Sequence, residues 1–166
     1  MDEEQITDKA YATEIPHLSD LKNDVGKELG LSEWMVITQD QIDAFAKTTE
    51  DNQWIHTNPE KAAKQSPYKK TIAHGFLILS FASKFCYETV RILDVSMGVN
   101  YGLDKVRFMN AVVVDSLIRA RVSLMTANDI PGGVRYKMKI VFELKGEKKP
   151  ACVAEFIAQG YANSDK

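Results

Sequence analysis

The sequence predicts an α+β domain in which an antiparallel sheet wraps one long buried helix. Three observations carry this. The most apolar stretch of the chain, from Gly75 to Ile92, runs at helical length and density. Beyond it, hydrophobicity alternates with period two in several segments. Turn-forming clusters separate those segments. A helix followed by antiparallel strands is the order of an α+β layer fold.

Residues 1–33 are mixed and polar and read as an N-terminal arm, with one domain over 34–163. Gly26 and Gly30 interrupt the helical pattern of Leu21 to Leu29, so any helix there is short. Trp34–Ile37 is a short apolar strand. Thr38 with Gln41 fits a capping box, in which each side chain satisfies an orphan backbone N–H. Ile42, Phe45 and Ala46 follow at helical spacing, and the helix fades at the β-branched pair Thr48–Thr49. A polar loop runs to Asn58. Pro59 suits the first turn of a second short helix, with Asn58 as its cap. Ser66–Lys70 is another loop.

The long helix then spans about 18 residues, roughly 27 Å at 1.5 Å per residue. Its first turns are apolar nearly all round, through Phe76, Leu77, Ile78, Leu79, Phe81 and Ala82, which predicts a buried helix. Ser80, Lys84, Glu88 and Arg91 form its polar stripe. Next, Ala120, Val122 and Leu124 alternate with Arg119, Arg121 and Ser123. Val134, Tyr136, Met138, Ile140, Phe142 and Leu144 alternate with polar or basic partners, as in a half-buried strand. Residues 150–161 make a further strand. Asn128–Gly133 and Lys145–Lys149 are turns, and the closing Asn163–Lys166 is expected to fray.

Bulk properties narrow the function classes. The chain has 166 residues, 45% hydrophobic and 27% charged, with a formal net charge of −2 and mixed signs. No clustered basic field marks a nucleic-acid surface. Only 2 cysteines are present, Cys86 and Cys152, both in apolar surroundings, which suits a reducing compartment. The acidic, polar start is unlike a secretory signal, and no apolar run has membrane-spanning length. A cytoplasmic location is expected.

Two features carry chemistry. Asp51 and His56 lie five residues apart in a loop. On a helix they would sit roughly 140° apart and share no target. In a loop that turns back they can hold one water and move its protons. The spacing alone also suits a turn aspartate and an unrelated surface or core histidine. The second feature is His74-Gly75 at the start of the buried helix. The Gly75 N–H has no intrahelical acceptor and can polarise a carbonyl oxygen, and a glycine lets a substrate approach. Equally, Gly75 can simply end the loop with His74 as the helix cap.

Taken together, DNQWIHTNPEKAA and SPYKKTIAHGFLILS resemble the signature of MaoC-like hydratases, including the (R)-specific enoyl-CoA hydratases. The family's loop reads as Asp, Asn-Pro or a variant, an aliphatic residue, His and Asp-Pro, with His-Gly some two dozen residues later. The branch named after nodulation protein N is the most similar. Asn100–Phe108 and Pro150–Phe156 resemble its first long strand and its last. The resemblance covers the chain from about Leu21 to Tyr161 and turns the α+β prediction into a hot-dog fold.

By this resemblance Asp51 and His56 are the catalytic pair, and the Gly75 N–H binds the thioester oxygen of an acyl-CoA. Ser83 matches a serine that orients the aspartate in some hydratases, although a small residue packed on the sheet would look the same. Asn58 and His74 support the site. The implied reaction is hydration of a trans-2-enoyl-CoA to an (R)-3-hydroxyacyl-CoA, or its reverse, by a homodimer. Two alternatives stay open: an acyl-CoA thioesterase, and a non-catalytic acyl-CoA-binding hot-dog protein. No cofactor or metal is expected, because His17, His56 and His74 form no ligand set by spacing. Trp54, Phe76, Phe81 and Met109 are candidates for closing an acyl tunnel. Three positions depart from the family. Asn58 stands for a frequent Asp, Lys69-Lys70 for a common Gly-Gly, and Asp115 for a common turn Gly. The lysines can reshape the loop beside the site or add charge for the coenzyme A phosphates.

Overall fold

The computed structural model describes residues 8–162. Residues 1–7 of the expected arm and the closing 163–166 lie outside the described residues. Within them, the segments read as strands become β6 (Leu117–Ile130), β7 (Gly133–Leu144) and β8 (Cys152–Ala162), and the Asn100–Phe108 stretch lies in a long antiparallel strand, β5 (Val95–Phe108). Val134, Met138, Ile140, Phe142 and Leu144 are buried, as the alternation of β7 requires. The β6–β7 turn is Pro131-Gly132, and Ile130 pairs directly with Gly133.

Shorter strands complete the sheet: β1 (Tyr11–Ile15), β2 (Glu28–Leu31), β3 (Met35–Val36) and β4 (Val90–Ile92). Their order is β4-β1-β2-β6-β7-β8-β5, with β3 also on β6. Residues 11–31, within the stretch read as an arm, thus supply two strands. A 3-10 turn at Leu18–Asp24 joins them and buries Leu18 and Leu21. Pairing is antiparallel except between β1 and β4.

Helix α1 (Gln39–Thr49) begins with the expected capping box. The Thr38 hydroxyl accepts from the Gln41 N–H at 3.3 Å, and the Gln41 side chain accepts from the Thr38 N–H at 2.9 Å. Thr38→Ala removes one half of this exchange. It should lower unfolding free energy by about 1 kcal/mol in a urea melt. Two short helices follow, α2 (Trp54–Thr57) and α3 (Pro59–Gln65).

The buried helix differs from the single rod expected over Gly75–Ile92. It is two segments, α4 (Gly75–Ser80) and α5 (Ala82–Thr89), meeting at Phe81. The Ser80 hydroxyl donates to the Leu77 carbonyl at 2.7 Å, a back-bond that bends helices. The Phe81 N–H is shared between the Ile78 and Leu79 carbonyls. The helical region ends at Thr89, so the rod is roughly 22 Å long. Arg91 then lies in β4, where the β-branched neighbours Thr89, Val90 and Ile92 favour extended backbone. Gly30 explains why the chain packs so closely here. A Cβ on it would meet the Thr89 carbonyl oxygen at 2.5 Å and the Tyr11 carbonyl oxygen at 2.8 Å.

Leu77, Ile78, Leu79, Ala82 and Phe85 share one buried core with residues of β6, β7 and β8, and Phe85 meets Phe142 edge-on at 6.0 Å. Phe76 departs from the all-round burial expected. It is 68% exposed and lies edge-on to Phe108. Among the described residues, no helix is long and apolar enough to cross a membrane.

Candidate active site

The loop after α1 turns because Glu50 takes a left-handed backbone, φ 62°. Asp51 therefore leaves the helix, while His56 sits on the single turn of α2. Asn58 closes that turn and caps α3, its side-chain oxygen accepting from the Lys61 N–H at 2.9 Å. A carboxylate and an imidazole that one continuous helix would separate are thereby brought together.

A second segment locks against the first. The Ile72 N–H donates to the Ile55 carbonyl at 3.1 Å, and the Ala73 N–H to the Val112 carbonyl at 2.8 Å. The Ile72 carbonyl in turn accepts from His56 Nδ1 at 2.7 Å. A carbonyl can only accept, so Nδ1 carries the hydrogen and Nε2 is left as a free lone pair. Gln39 ties the two segments further. Its amide nitrogen donates to the His56 carbonyl at 2.8 Å, and its oxygen accepts from the Thr71 hydroxyl.

Burial pushes the His56 pKa below the ordinary histidine value. The Ile72 carbonyl opposes this, the neighbouring His74 adds to it and Asp51 opposes it. The net effect favours the neutral ring at pH 7, the form that accepts a proton. The Asp51 side chain is 55% exposed, with its carboxylate 3.9 Å from His74 Nε2. His74 is buried, and its ring stacks on His56 with centroids 3.8 Å apart. Asp51, His56 and His74 bring one donor atom each to within 4.8 Å of one another. Of the three histidines expected to form no ligand set, His56 and His74 are neighbours beside Asp51, and His17 is elsewhere, beside Asp94. Sequence spacing held no signal for this stack, which depends on the Ile55–Ile72 backbone contact.

Gly75 is the first residue of α4, and His74 is its N-cap without a side-chain cap bond. Gly75 and His56 line one cavity of about 360 Å³, together with Tyr68, Ile78, Phe108 and Met109. The Phe108 ring lies flat against Gly75, where a Cβ would meet it at 3.0 Å. Of the four candidate tunnel residues, only Met109 reaches this cavity.

Ser83 is not part of this cluster. Eight helical positions carry it about 12 Å beyond Gly75. Its hydroxyl accepts from the Asn100 amide at 3.2 Å rather than meeting Asp51, and it lines a separate, mainly apolar cavity of about 340 Å³ with Tyr136 and Met138. Two departures from the family pattern fit the turns they occupy. Lys69 and Asp115 adopt the left-handed backbone that a glycine would carry, at φ 60° and φ 70°. Lys70 reaches Asp115 at 3.4 Å.

Residues 20–140 match the family model described as MaoC like domain. The chain belongs to the MaoC-like family. Among the relatives of this MaoC-like chain is 3-hydroxyacyl-thioester dehydratase Z of Mycobacterium tuberculosis. The two are 41% identical over 143 residues, which span 86% of this chain and 94% of that protein. Nodulation protein N of Rhizobium leguminosarum bv. viciae is also 41% identical, over 84% of this chain and 88% of that protein. Among solved structures, the R-hydratase PhaJ1 from Pseudomonas aeruginosa superposes with a TM-score of 0.67 at 18% identity, covering 84% of this chain and 83% of that one. That likeness shows the hot-dog fold. MaoC-like proteins are a hydratase and dehydratase family, so the chain is of lyase type.

Proposed function

We propose that the protein adds water to a trans-2-enoyl-CoA to give an (R)-3-hydroxyacyl-CoA, and catalyses the reverse dehydration. The observation that carries this reading is His56. Its Nδ1 is committed to a backbone carbonyl, its Nε2 is free, and it shares a cavity with Gly75 and a cluster with Asp51.

The thioester carbonyl oxygen accepts from the Gly75 N–H, which draws electron density from the conjugated double bond. Asp51 accepts one hydrogen of a water and holds its oxygen toward the β-carbon. His56 Nε2 takes the other proton as the carbon–oxygen bond forms. The former π pair moves toward the α-carbon and the carbonyl, and negative charge gathers on the thioester oxygen. The imidazolium then gives its proton to the α-carbon from the same side, and His56 returns to its starting state. Dehydration is the same path reversed.

The test is direct. The purified protein is mixed with short and medium trans-2-enoyl-CoA, loss of enoyl absorbance is followed, and the product is offered to an (R)-specific dehydrogenase. Turnover with (R) product supports the reading. Release of free thiol without loss of the enoyl group would favour the thioesterase, and binding without turnover the acyl-CoA binder.

We also propose a homodimer. Strand β5 closes the sheet on one side and, among the described residues, pairs only with β8. Met97, Val99, Tyr101 and Leu103 along it are each between 40% and 55% exposed, and the bulge between Asn100 and Gly102 places Leu103 on the face opposite Met97 and Val99, so both faces of this edge carry exposed apolar side chains. A long apolar edge of this kind requires cover. In sedimentation velocity the wild-type protein should run as a dimer and Leu103→Glu as a monomer. A monomeric wild type would remove the proposal.

A further inference from the structure

His74 has a feature that a packing residue would not need. The ring is 3% exposed, held between the His56 ring and Phe45, whose centroid lies 5.1 Å away. Its Nε2 lies 3.0 Å from the Asp51 backbone carbonyl oxygen and 3.9 Å from the Asp51 carboxylate. Since the carbonyl only accepts, Nε2 carries the hydrogen. Nδ1 is then a bare acceptor, buried and without a partner among the described residues. A buried acceptor with no donor is costly, and native proteins keep few of them. Leu or Phe would fill the same space without that cost. What an imidazole offers here is a pair of properties at once: a flat face for stacking and an edge N–H for donation.

We propose that His74 is a positioning residue that sets the Asp51–His56 pair, its N–H tethering the Asp51 backbone and its face bracing the His56 ring. This role rests on the hydratase reading above. Asp51 otherwise lies in a loop with an exposed carboxylate, and the His74 bond is the contact that ties its backbone to the buried helix start. His56 is held at its edge by Ile72 and on its face by His74. Two contacts on one ring fix both its tilt and its rotation. A catalytic group misplaced by about 1 Å loses on the order of 10²-fold in rate.

Two substitutions separate the two contacts. His74→Gln keeps an amide that reaches the Asp51 carbonyl but loses the stacking face. His74→Phe keeps the face but loses the donor. We expect kcat to fall about 10- to 100-fold in His74→Phe with KM little changed, and His74→Gln to retain more of kcat than His74→Phe. The second readout does not depend on turnover. The titratable groups facing His56 are His74, which lowers its pKa, and Asp51, which raises it. Removing the His74 imidazole should therefore move the NMR titration midpoint of the His56 ring upward in both variants, and the acid limb of kcat/KM with it. A purely structural role would lower the melting temperature and the folded fraction and leave that titration where it is. The proposal is overturned if kcat falls only in step with folded protein, or if the His56 midpoint does not move. A wild type with no turnover on any enoyl-CoA would remove the hydratase reading instead, and the titration would still decide whether His74 sets His56.

Discussion

Asp51→Asn and His56→Ala should each lower kcat for enoyl-CoA hydration by about 10²–10⁴, the usual worth of a positioned acid or base. Both proteins should remain folded. The Asp51 carboxylate is exposed, so its loss leaves no buried hole. The His74 bond to this residue goes to the backbone carbonyl and survives the change to Asn. His56→Ala costs more structurally, because it deletes the ring stacked on His74 and leaves the Ile72 carbonyl without its donor. Such an orphaned carbonyl costs about 1–3 kcal/mol, which a melting curve will register. The two residues act on one water, so the double variant should be little slower than the worse single variant. Full additivity would mean that they serve different steps. Near-normal turnover in both single variants, with circular dichroism unchanged, would sink the assignment of this pair.

The ease of reading this chain follows the range of the forces involved. The β7 alternation is legible because each residue's face is set by its own position in the pleat, and the Thr38–Gln41 box because its partners lie three residues apart. The short strands β1, β2 and β4 are not, since Thr13 pairs with Val90, 77 positions further along the chain (90 − 13). The helix break at Phe81 hides for a different reason: it depends on where the Ser80 hydroxyl turns, which hydrophobic periodicity does not record. In the site, the Asp51–His56 spacing and His74-Gly75 stand out as local motifs. The stack of His56 on His74 joins residues 18 positions apart (74 against 56) through backbone bonds between Ile55 and Ile72. Ser83 shows the opposite case, a residue singled out by its offset from Gly75 that bonds Asn100 within this chain.

Gly75→Pro should lower kcat by the equivalent of about 2.7–4 kcal/mol of transition-state stabilisation, judged from the loss of single oxyanion donors elsewhere. The substitution is gentler on the fold than it looks. Gly75 occupies the first position of α4, where proline's missing N–H breaks no helical bond and its φ suits the helix. The residue before a proline must be extended, and His74 already is, at φ −60° and ψ 138°. What remains is the ring's contact with Phe108, which a Cβ would touch at 3.0 Å. Phe108 is 46% exposed and has room to swing aside. Gly75→Ala supplies the control, since it adds the same Cβ and keeps the N–H. If the N–H polarises the thioester, alanine should lose far less than proline, and the difference should appear in kcat more than in KM. Equal losses in the two variants would mean that Gly75 serves only to admit the substrate past Phe108, and the donor for the thioester oxygen would have to be sought elsewhere in the cavity.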